Sequence, residues 1–319
     1  MSRPGVLLIC PYDLSVPGGV QGQARSMALE LARRGRAVIL ASPGEGSDPA
    51  LADAGVEELR GGRVRRFSAN GSVAPITLSF AQSAAVRRRA EAQGLVVHLH
   101  EPVTPVLGWS AFGSRSVPTV ATFHRSGLDL LYRAAGPFLA RRARRLGAAI
   151  CVSEAAGATA RAALGIDCET LFNGIDFHPL DAATPWPTNG PTILFIGRDE
   201  PRKGRAILLE AAAHLDPSVT LWLTGSAPEG WVQGSGARLE WLGVISEDEK
   251  ARRLVAADVL CAPSLGGESF GIVLLEGLAA GCSVVASDID GYRQALGGHG
   301  LLSPPGDPLE LAADLTRAL

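Results

Sequence analysis

The sequence has almost no lysine: only Lys203 and Lys250 occur in 319 residues, and every other strongly basic residue is arginine. A GC-rich coding bias would explain such a skew without any reference to function. A compact ammonium group and a planar guanidinium fork are nevertheless not interchangeable as ligands. We therefore single out the two lysines as candidate functional residues.

Other features are also missing, and each absence excludes a class of protein. No apolar run reaches the ~18–20 residues of a transmembrane helix, and the first apolar run, about six residues long, is too short for a signal-peptide core. The five cysteines are odd in number and scattered, which argues against a disulfide framework or a zinc cluster. A formal net charge of −2 gives no electrostatic case for nucleic acid as a partner. We expect a cytoplasmic protein without disulfides.

The hydrophobic fraction of 46% is enough for buried cores, and its distribution predicts the fold class. Short apolar runs alternate with longer amphipathic stretches, a pattern typical of parallel strands covered by helices on both faces. The predicted strands of the first half are residues 6–10, 37–41, 96–100, 119–123, 149–152 and 170–172. Those of the second half are residues 192–196, 221–224, 239–242, 259–262 and 283–286.

A proline-rich stretch with an Asn-Gly pair separates the two series and has the composition of a linker. The sequence therefore predicts an α/β protein with two Rossmann-like, doubly wound domains. We place the first domain at residues 1–178, a hinge at 179–191 and the second domain at 192–319. Ligands of such sheets bind at the carboxyl ends of the strands, so the loops there are the places to search.

The first such loop, residues 17–21, carries Gly18 and Gly19 between the first strand and a helix. Paired glycines let the backbone approach a ligand, and a helix N-terminus attracts an anion, so the loop is a candidate phosphate site. An ordinary tight turn explains it equally well. The GxGxxG fingerprint is absent.

The second loop, residues 197–204, holds three cations within six residues: Arg198, Arg202 and Lys203. At a strand-to-helix junction they would neutralise a diphosphate. The alternative is a solvated basic turn.

The third loop, residues 266–271, leads into a helix and carries Glu268. Glu276 follows eight residues later, slightly more than two helical turns, so that both carboxylates can face one cleft and bind the hydroxyl groups of a sugar and a ribose. The alternative is a helix cap with a surface glutamate.

A single histidine, His124, ends an apolar strand of the first domain; such a histidine is more often structural than catalytic. Two further patterns resemble metal sites, but we expect no metal. Asp288 and Asp290 follow the last strand, and His98 and His100 have no third ligand at metal spacing.

Taken together, these motifs resemble the GT-B fold and the retaining glycosyltransferase family 4, and are similar above all to bacterial phosphatidylinositol mannosyltransferases. The pair Glu268 and Glu276, in Gly-Glu-Ser-Phe-Gly-Ile-Val-Leu-Leu-Glu, is the most specific mark of the resemblance. The resemblance runs through residues 10–12, 16–21, 70–74, 99–102, 121–124, 173–176, 199–204, 266–276 and 286–288.

The resemblance implies GDP-mannose as a donor substrate, without a cofactor. By it, Arg198 and Lys203 would clamp the diphosphate as catalytic residues. Glu268 would bind mannose hydroxyls, and His124 would contact the sugar near the reacting carbon. The other donor contacts that it implies are Gly18, Gly19, Ile245, Glu247, Lys250, Ser269, Phe270, Gly271, Ile272 and Glu276.

The acceptor side departs from the family. The resemblance implies phosphatidylinositol as acceptor, but Pro75 and Thr77 stand where the family places arginines. Another lipid or a small hydroxylated acceptor therefore stays open. The acceptor-binding residues that the resemblance implies are Tyr12, Gln21, Asn70, Ser72 and His124.

The basic run Arg87, Arg88 and Arg89 lies where the resembled enzymes carry a membrane-touching helix. Near anionic lipid each cation contributes about 1 kcal/mol, which predicts reversible docking to the inner face of the cell membrane. A solvated helix face is the alternative.

The sequence shows no carboxylate suited to act as a glycosidase-type nucleophile. The family is thought to retain configuration by front-face attack, in which the departing phosphate takes the acceptor's proton. Rival functions are transfer from another nucleotide donor, sugar-nucleotide epimerisation and non-catalytic nucleotide-sugar binding.

Overall fold

The computed structural model of the protein describes residues 4–69, 72–128, 130–230, 232 and 234–319, without the side chains of residues 68, 69, 72, 73, 130 and 131. Its internal contacts divide the chain into two compact units, Met1–Gly174 and Ile175–Leu319. Each unit is described below by itself.

Unit one is built on a parallel sheet whose strands, in spatial order, run 3-2-1-6-7-8-9 within the described residues. The strands are β3 (Glu57–Gly61), β2 (Val38–Pro43), β1 (Val6–Ile9), β6 (Val96–His100), β7 (Thr119–Phe123), β8 (Ala148–Cys151) and β9 (Glu169–Thr170). The chain order reverses between β1 and β6. This reversal is the position at which doubly wound sheets bind their ligands.

Helices, one hairpin and, between β6 and β7, a segment of turns connect these strands. The hairpin pairs β4 and β5 antiparallel. The cap residues match the sequence: Ser79 and Ser153 accept hydrogen bonds from backbone N–H groups at the starts of α3 and α5, and Gly94 and Gly165 end them in the left-handed conformation. The elements are α1 (Gly19–Arg33), α2 (Pro49–Asp53), β4 (Val64–Ala69), β5 (Ser72–Thr77), α3 (Phe80–Gln93), α4 (Leu130–Ala143) and α5 (Glu154–Leu164).

Unit two repeats the plan with a parallel sheet whose strand order reverses between β10 and β13. In spatial order its strands are β12 (Arg238–Gly243), β11 (Thr220–Thr224), β10 (Thr192–Phe195), β13 (Val259–Ala262), β14 (Ser283–Ser287) and β15 (Leu301–Ser303). Its helices are α6 (His178–Asp181), α7 (Arg205–Ala212), α8 (Glu247–Leu254), α9 (Ile272–Ala280), α10 (Asp290–Leu296) and α11 (Pro308–Ala318), with a 3-10 turn at Pro201–Lys203.

The central strands of both sheets bury both faces, as the continuous apolar runs predict. In β1, Leu7 and Ile9 belong to one apolar cluster, whereas Leu8 belongs to another. In β10, Phe195 and Leu194 likewise join two different clusters. Because successive strand residues point to opposite faces, each sheet is covered on both sides. The predicted fold class, α/β with two Rossmann-like domains, is confirmed.

The predicted hinge, residues 179–191, falls in unit two. Leu180 joins the apolar cluster of α8, and the backbone N–H of Trp186 donates to the carbonyl of Arg252 at 3.0 Å. The guanidinium groups of Arg252 and Arg253 lie 4.7 and 4.3 Å from the Trp186 ring centroid. These contacts hold the segment against α8, and its function as a hinge stays a prediction.

Candidate active site

The loop after β10 approaches the loop after β13 so closely that only glycine fits at residue 204. Gly204 has φ +70°, and a Cβ there would lie 1.8 Å from the carbonyl oxygen of Pro263. The backbone N–H of Leu265 donates to the carbonyl of Arg202 at 2.7 Å. These two contacts bring the second and third candidate loops together at the carboxyl edge of the sheet.

Glu268 is the centre of an ion cluster between these loops. Its carboxylate accepts from the ammonium of Lys203 at 2.8 Å and pairs with the guanidinium of Arg202. Arg202 also contacts Glu200 at 2.8 Å, and Glu200 contacts Arg198 at 3.1 Å. Three cations and two carboxylates thus form one chain of contacts with a surplus of one positive charge.

The environment keeps Glu268 ionised. Burial by itself would raise the pKa of this carboxyl, but the charges of Lys203 and Arg202, with their hydrogen bonds, outweigh it and hold the pKa below the usual value. An ionised carboxylate only accepts hydrogen bonds. Glu268 is therefore suited to accept from hydroxyl groups, as a sugar ligand requires.

Glu276 belongs to a second ion cluster. Its carboxylate accepts from the ammonium of Lys250 at 2.9 Å, and Lys250 also pairs with Glu247 at 2.7 Å. Burial would lower the pKa of Lys250, yet the two carboxylates raise it, so that the ammonium stays charged. Glu268 and Glu276 thus lie in separate ion clusters of the same unit, each with one of the two lysines, and the single cleft that their spacing predicts stays a prediction.

The start of α9 offers backbone donors beside Glu268. Gly271 precedes the helix in the left-handed conformation (φ +96°), no side chain caps the helix, and its first turn has no acidic residue. Phe270 is buried and anchors the loop in the apolar core. Ile272 is the first residue of α9, and Ile245 lies half-buried just before α8. Ser269 also makes contacts within the chain.

In unit one, α1 begins at Gly19, directly after the extended residue Gly18, without a capping side chain. Its first turn has no acidic residue, so its free N–H groups form an anion-attracting end. Gln21 is buried in this turn. The predicted glycine loop therefore has the geometry of a helix N-terminus.

His124 follows β7 and forms a hydrogen bond with a second histidine. Its Nε2 atom lies 3.0 Å from Nδ1 of His100, the last residue of β6. The His100 ring stacks on His98 with the centroids 4.8 Å apart, and Nε2 of His98 lies 2.7 Å from the hydroxyl of Thr122. Burial lowers the pKa of His98 to about 4 and that of His124 to about 3, so these rings are neutral at pH 7.

Glu101 holds the backbone of His124 in place. It has a positive φ of 48°, unusual for a residue with a side chain. Its carboxylate accepts from the backbone N–H of His124 at 3.0 Å and from the hydroxyl of Tyr132. The carboxyl ends of β6 and β7 are thereby tied together.

The predicted acceptor residues are only partly described. The Tyr12 hydroxyl lies 3.2 Å from the Thr104 hydroxyl, and the Tyr12 backbone pairs with Ile76 of β5. Asn70 lies outside the described residues, as does the side chain of Ser72.

The basic run on α3 is largely paired. Arg87 pairs with Glu91, and Arg89 places one guanidinium nitrogen 2.7 Å from both carboxylate oxygens of Glu57. Arg88 is exposed, and over the described ranges it forms no ion pair. No described helix combines the length and apolar character that crossing a bilayer demands.

Sequence reasoning did not assign a role in these clusters to three residues, Glu200, Glu101 and His100. All of them follow or end a strand, and that position was the available signal. Asp288 and Asp290, the rejected metal pattern, both pair with Arg293, and no group of three metal-ligating side chains is found in the part of the chain that the structure describes. The functional roles of the predicted site residues stay predictions.

Comparisons with known proteins agree with this architecture. The family model described as Glycosyltransferase Family 4 matches residues 17–178, and that described as Glycosyl transferases group 1 matches residues 190–319. The phosphatidyl-myo-inositol mannosyltransferase of Mycobacterium tuberculosis is 38% identical over 327 residues, 98% of this chain and 85% of that protein. The protein of the same name from Propionibacterium freudenreichii is 35% identical over 302 residues, 91% of this chain and 78% of that protein.

Among solved structures, Anabaena HepE in complex with UDP and glucose superimposes with a TM-score of 0.75 at 20% identity, covering 99% of this chain and 89% of that one. At this identity the likeness concerns the fold. Two matching family models and a relative at 38% identity along nearly the whole chain establish the family. This chain belongs to glycosyltransferase family 4, has the GT-B fold, and is a hexosyltransferase.

Proposed function

We propose that this hexosyltransferase moves a mannosyl group from GDP-mannose to phosphatidyl-myo-inositol, with retention of configuration and without a cofactor. The observation that carries the proposal is the 38% identity, along 98% of the chain, to a protein named phosphatidyl-myo-inositol mannosyltransferase. The ion clusters of unit two supply the chemistry that the donor requires.

The cluster around Glu268 is suited to a nucleoside diphosphate. Its surplus positive charge would attract the diphosphate, and the ammonium of Lys203 has donors beyond the one that contacts Glu268. As the bond to the sugar breaks, negative charge grows on the departing phosphate. One preorganised donor aimed at such charge is worth about 3 kcal/mol.

The second cluster would bind the nucleoside. Glu276 would accept hydrogen bonds from the ribose, and Lys250 with Glu247 would contact the guanine. The ion pair between Lys250 and Glu276, at 2.9 Å, would orient both groups before the donor arrives. This assignment explains why Lys203 and Lys250, the two lysines of the chain, pair with Glu268 and Glu276 of the same motif.

Retention would follow from front-face attack by the acceptor hydroxyl, whose proton passes to the departing phosphate. His124 supports this route, because its neutral ring would contact the sugar as a hydrogen-bonding group and not as a charge. Glu268 would hold the mannose hydroxyls through its ionised carboxylate.

The acceptor is a lipid in this proposal, and the enzyme would act on the cytoplasmic face of the cell membrane. Helix α3 supplies the contact surface: Phe80 at its first position is 69% exposed, and Arg88 forms no ion pair within the described part of the chain. An exposed aromatic ring and an exposed cation on the same helix suit an anionic lipid surface.

A different acceptor is favoured by one observation. Pro75 and Thr77, where the family places arginines, are buried, so that β5 presents no cation at these positions. A lipid without an inositol phosphate, or a small hydroxylated acceptor, is therefore the second candidate.

The test incubates the protein with radiolabelled GDP-mannose and with phosphatidyl-myo-inositol in vesicles. Parallel reactions replace the donor by UDP-sugars, or the acceptor by other lipids or free inositol. We expect labelled lipid only in the arm that combines GDP-mannose with phosphatidyl-myo-inositol. Label on another acceptor would support the second candidate. A donor that is bound but never consumed would contradict catalysis, and altered donor without an acceptor would indicate epimerisation.

A further inference from the structure

The hydrogen bond between His100 and His124 determines which nitrogen of His124 carries the proton. A neutral imidazole has one N–H donor and one bare acceptor nitrogen. Because Nδ1 of His100 lies 3.0 Å from Nε2 of His124, one of the two atoms must donate and the other accept. Both rings are buried, at 1% and 8% exposure, and burial lowers the pKa of each below its ordinary value.

The remaining nitrogen of His100 decides the direction. Its Nε2 atom is buried and has no hydrogen-bond partner among the described residues. If His124 donated, the proton of His100 would sit on this Nε2 atom as a buried N–H without an acceptor, and such orphaned donors are rarer in proteins than unused acceptors. The proton of His100 therefore belongs on Nδ1, which donates to His124.

The proton of His124 is then confined to Nδ1. No hydrogen bond in the described parts of the chain uses this atom, and it is not among the buried polar atoms that lack a partner. Nδ1 is thus the open nitrogen of the ring. We infer that His100 is a positioning residue that fixes the Nδ1–H tautomer of His124, so that His124 presents a hydrogen-bond donor to the sugar.

The inference rests on the proposed function for its consequence, since a donor is useful where an acceptor oxygen of the mannose is to be held. Glu101 completes the arrangement by accepting from the backbone N–H of His124 at 3.0 Å. The neighbouring residues His100 and Glu101 thus act on different parts of His124. Glu101 holds its backbone, and His100 determines which nitrogen of its ring is protonated.

The direct test is long-range 1H–15N correlation spectroscopy at pH 7 on the full chain labelled with 15N-histidine, which distinguishes the two neutral tautomers. We expect Nδ1–H for both His100 and His124, with resonances assigned from the single His100→Leu and His124→Gln variants. An Nε2–H signal for His124 in the wild-type protein would overturn the inference; the tautomer is read from the wild-type spectrum, and the variants serve only to assign the resonances.

Two variants of His100 test its action on the ring. His100→Leu removes the donor, so we expect the His124 tautomer to become mixed and kcat to fall about tenfold or more, with little change in KM for GDP-mannose. His100→Asn places an amide N–H near the former Nδ1 and should restore both the tautomer and most of kcat. If the His100→Leu variant kept a pure Nδ1–H signal on His124, His100 would have no such role.

The matched control is His98→Asn, which lies on the same strand and stacks on His100 but contacts Thr122 and not His124. We expect its His124 spectrum and its kcat to match the wild type. A control variant that lost activity as His100→Leu does would show a merely structural effect and overturn the inference. The tautomer is measured without substrate, so failure of the proposed function would appear as absent turnover beside an intact Nδ1–H signal.

Discussion

The ammonium of Lys203 lies 2.8 Å from the carboxylate of Glu268, although the two residues belong to loops after different strands. Each side chain is mostly shielded, at 19% and 12% exposure. The contact joins the proposed phosphate clamp to the proposed sugar-binding carboxylate, so that removal of either residue disturbs both.

Replacing either residue by alanine tests this joint role. For Lys203→Ala and for Glu268→Ala we expect kcat to fall about 100-fold or more, because a preorganised donor or its partner is lost. Circular dichroism and the unfolding midpoint should show an intact fold. The control is Arg293→Ala, which removes two ion pairs of the same unit, with Asp288 and Asp290. Equal losses in the control, or wild-type rates in either site variant, would refute the site assignment.

The close approach at residue 204 predicts a large effect on stability. In Gly204→Ala the new Cβ would lie 1.8 Å from the carbonyl oxygen of Pro263, so the two loops must separate, and we expect a loss of about 2–4 kcal/mol in the free energy of unfolding. Gly281→Ala is the matched control, because Gly281 has φ +87° but a Cβ at that position would meet no atom within 4 Å. Its cost should be about 1 kcal/mol, and similar urea midpoints for both variants would contradict the prediction.

Buried neutral histidines make stability depend on pH. The pKa of His98 is lowered by burial from 6.5 to about 4, so between these values the unfolded chain binds a proton that the folded chain does not. Stability must therefore fall as the pH drops from 6.5 to 4, by about 1.4 kcal/mol per pH unit for one such group. In urea unfolding series, the free energy of unfolding of His98→Asn should fall less steeply with decreasing pH in this window than that of the wild type. Parallel pH dependences of the two proteins would contradict the prediction.

Lys250 offers a test of the nucleoside contact. Lys250→Met should weaken GDP binding about tenfold or more, because a charged hydrogen bond is lost and the Glu276 carboxylate is left without its partner. Thermal shift with added GDP measures this, since a bound ligand raises the unfolding temperature by mass action. Lys250→Arg should restore binding only in part, and Arg317→Met, on α11, should leave it unchanged. Stronger stabilisation of the wild type by UDP or ADP than by GDP would contradict the proposed donor.

The ion pairs on α3 predict unequal contributions to membrane binding. Arg88→Gln should lower the affinity for vesicles of anionic lipid about fivefold, equivalent to about 1 kcal/mol, whereas Arg87→Gln and Arg89→Gln should change it less, because their charges are already paired. Vesicle sedimentation measures the affinity, and the exposed Arg34, which directly follows α1, supplies a control as Arg34→Gln. Equal losses from all three arginines of the run would show that the pairs do not hold at the lipid surface.

The central strands of both sheets were predictable, and several edge elements were not. Continuous apolar runs mark buried strands such as β1 and β10, because both of their faces need apolar side chains. The edge strand β3 instead reads Glu-Glu-Leu-Arg-Gly, and β15 has three residues. The hairpin of β4 and β5 carries Arg65 and Arg66 and also lacks a continuous apolar run. These strands are therefore recognised only from the strands with which they pair, and not from their composition.

Sequence alone determined the doubly wound class, the two units and the placement of Lys203, Glu268 and His124 at strand ends, since local apolar periodicity and motif spacing encode these features. Tertiary structure decided the partners. Glu268 pairs with Lys203 and Arg202, Glu276 pairs with Lys250, and His100 reaches His124, because ion pairs and ring contacts join residues distant in the chain only where strand order brings their loops together.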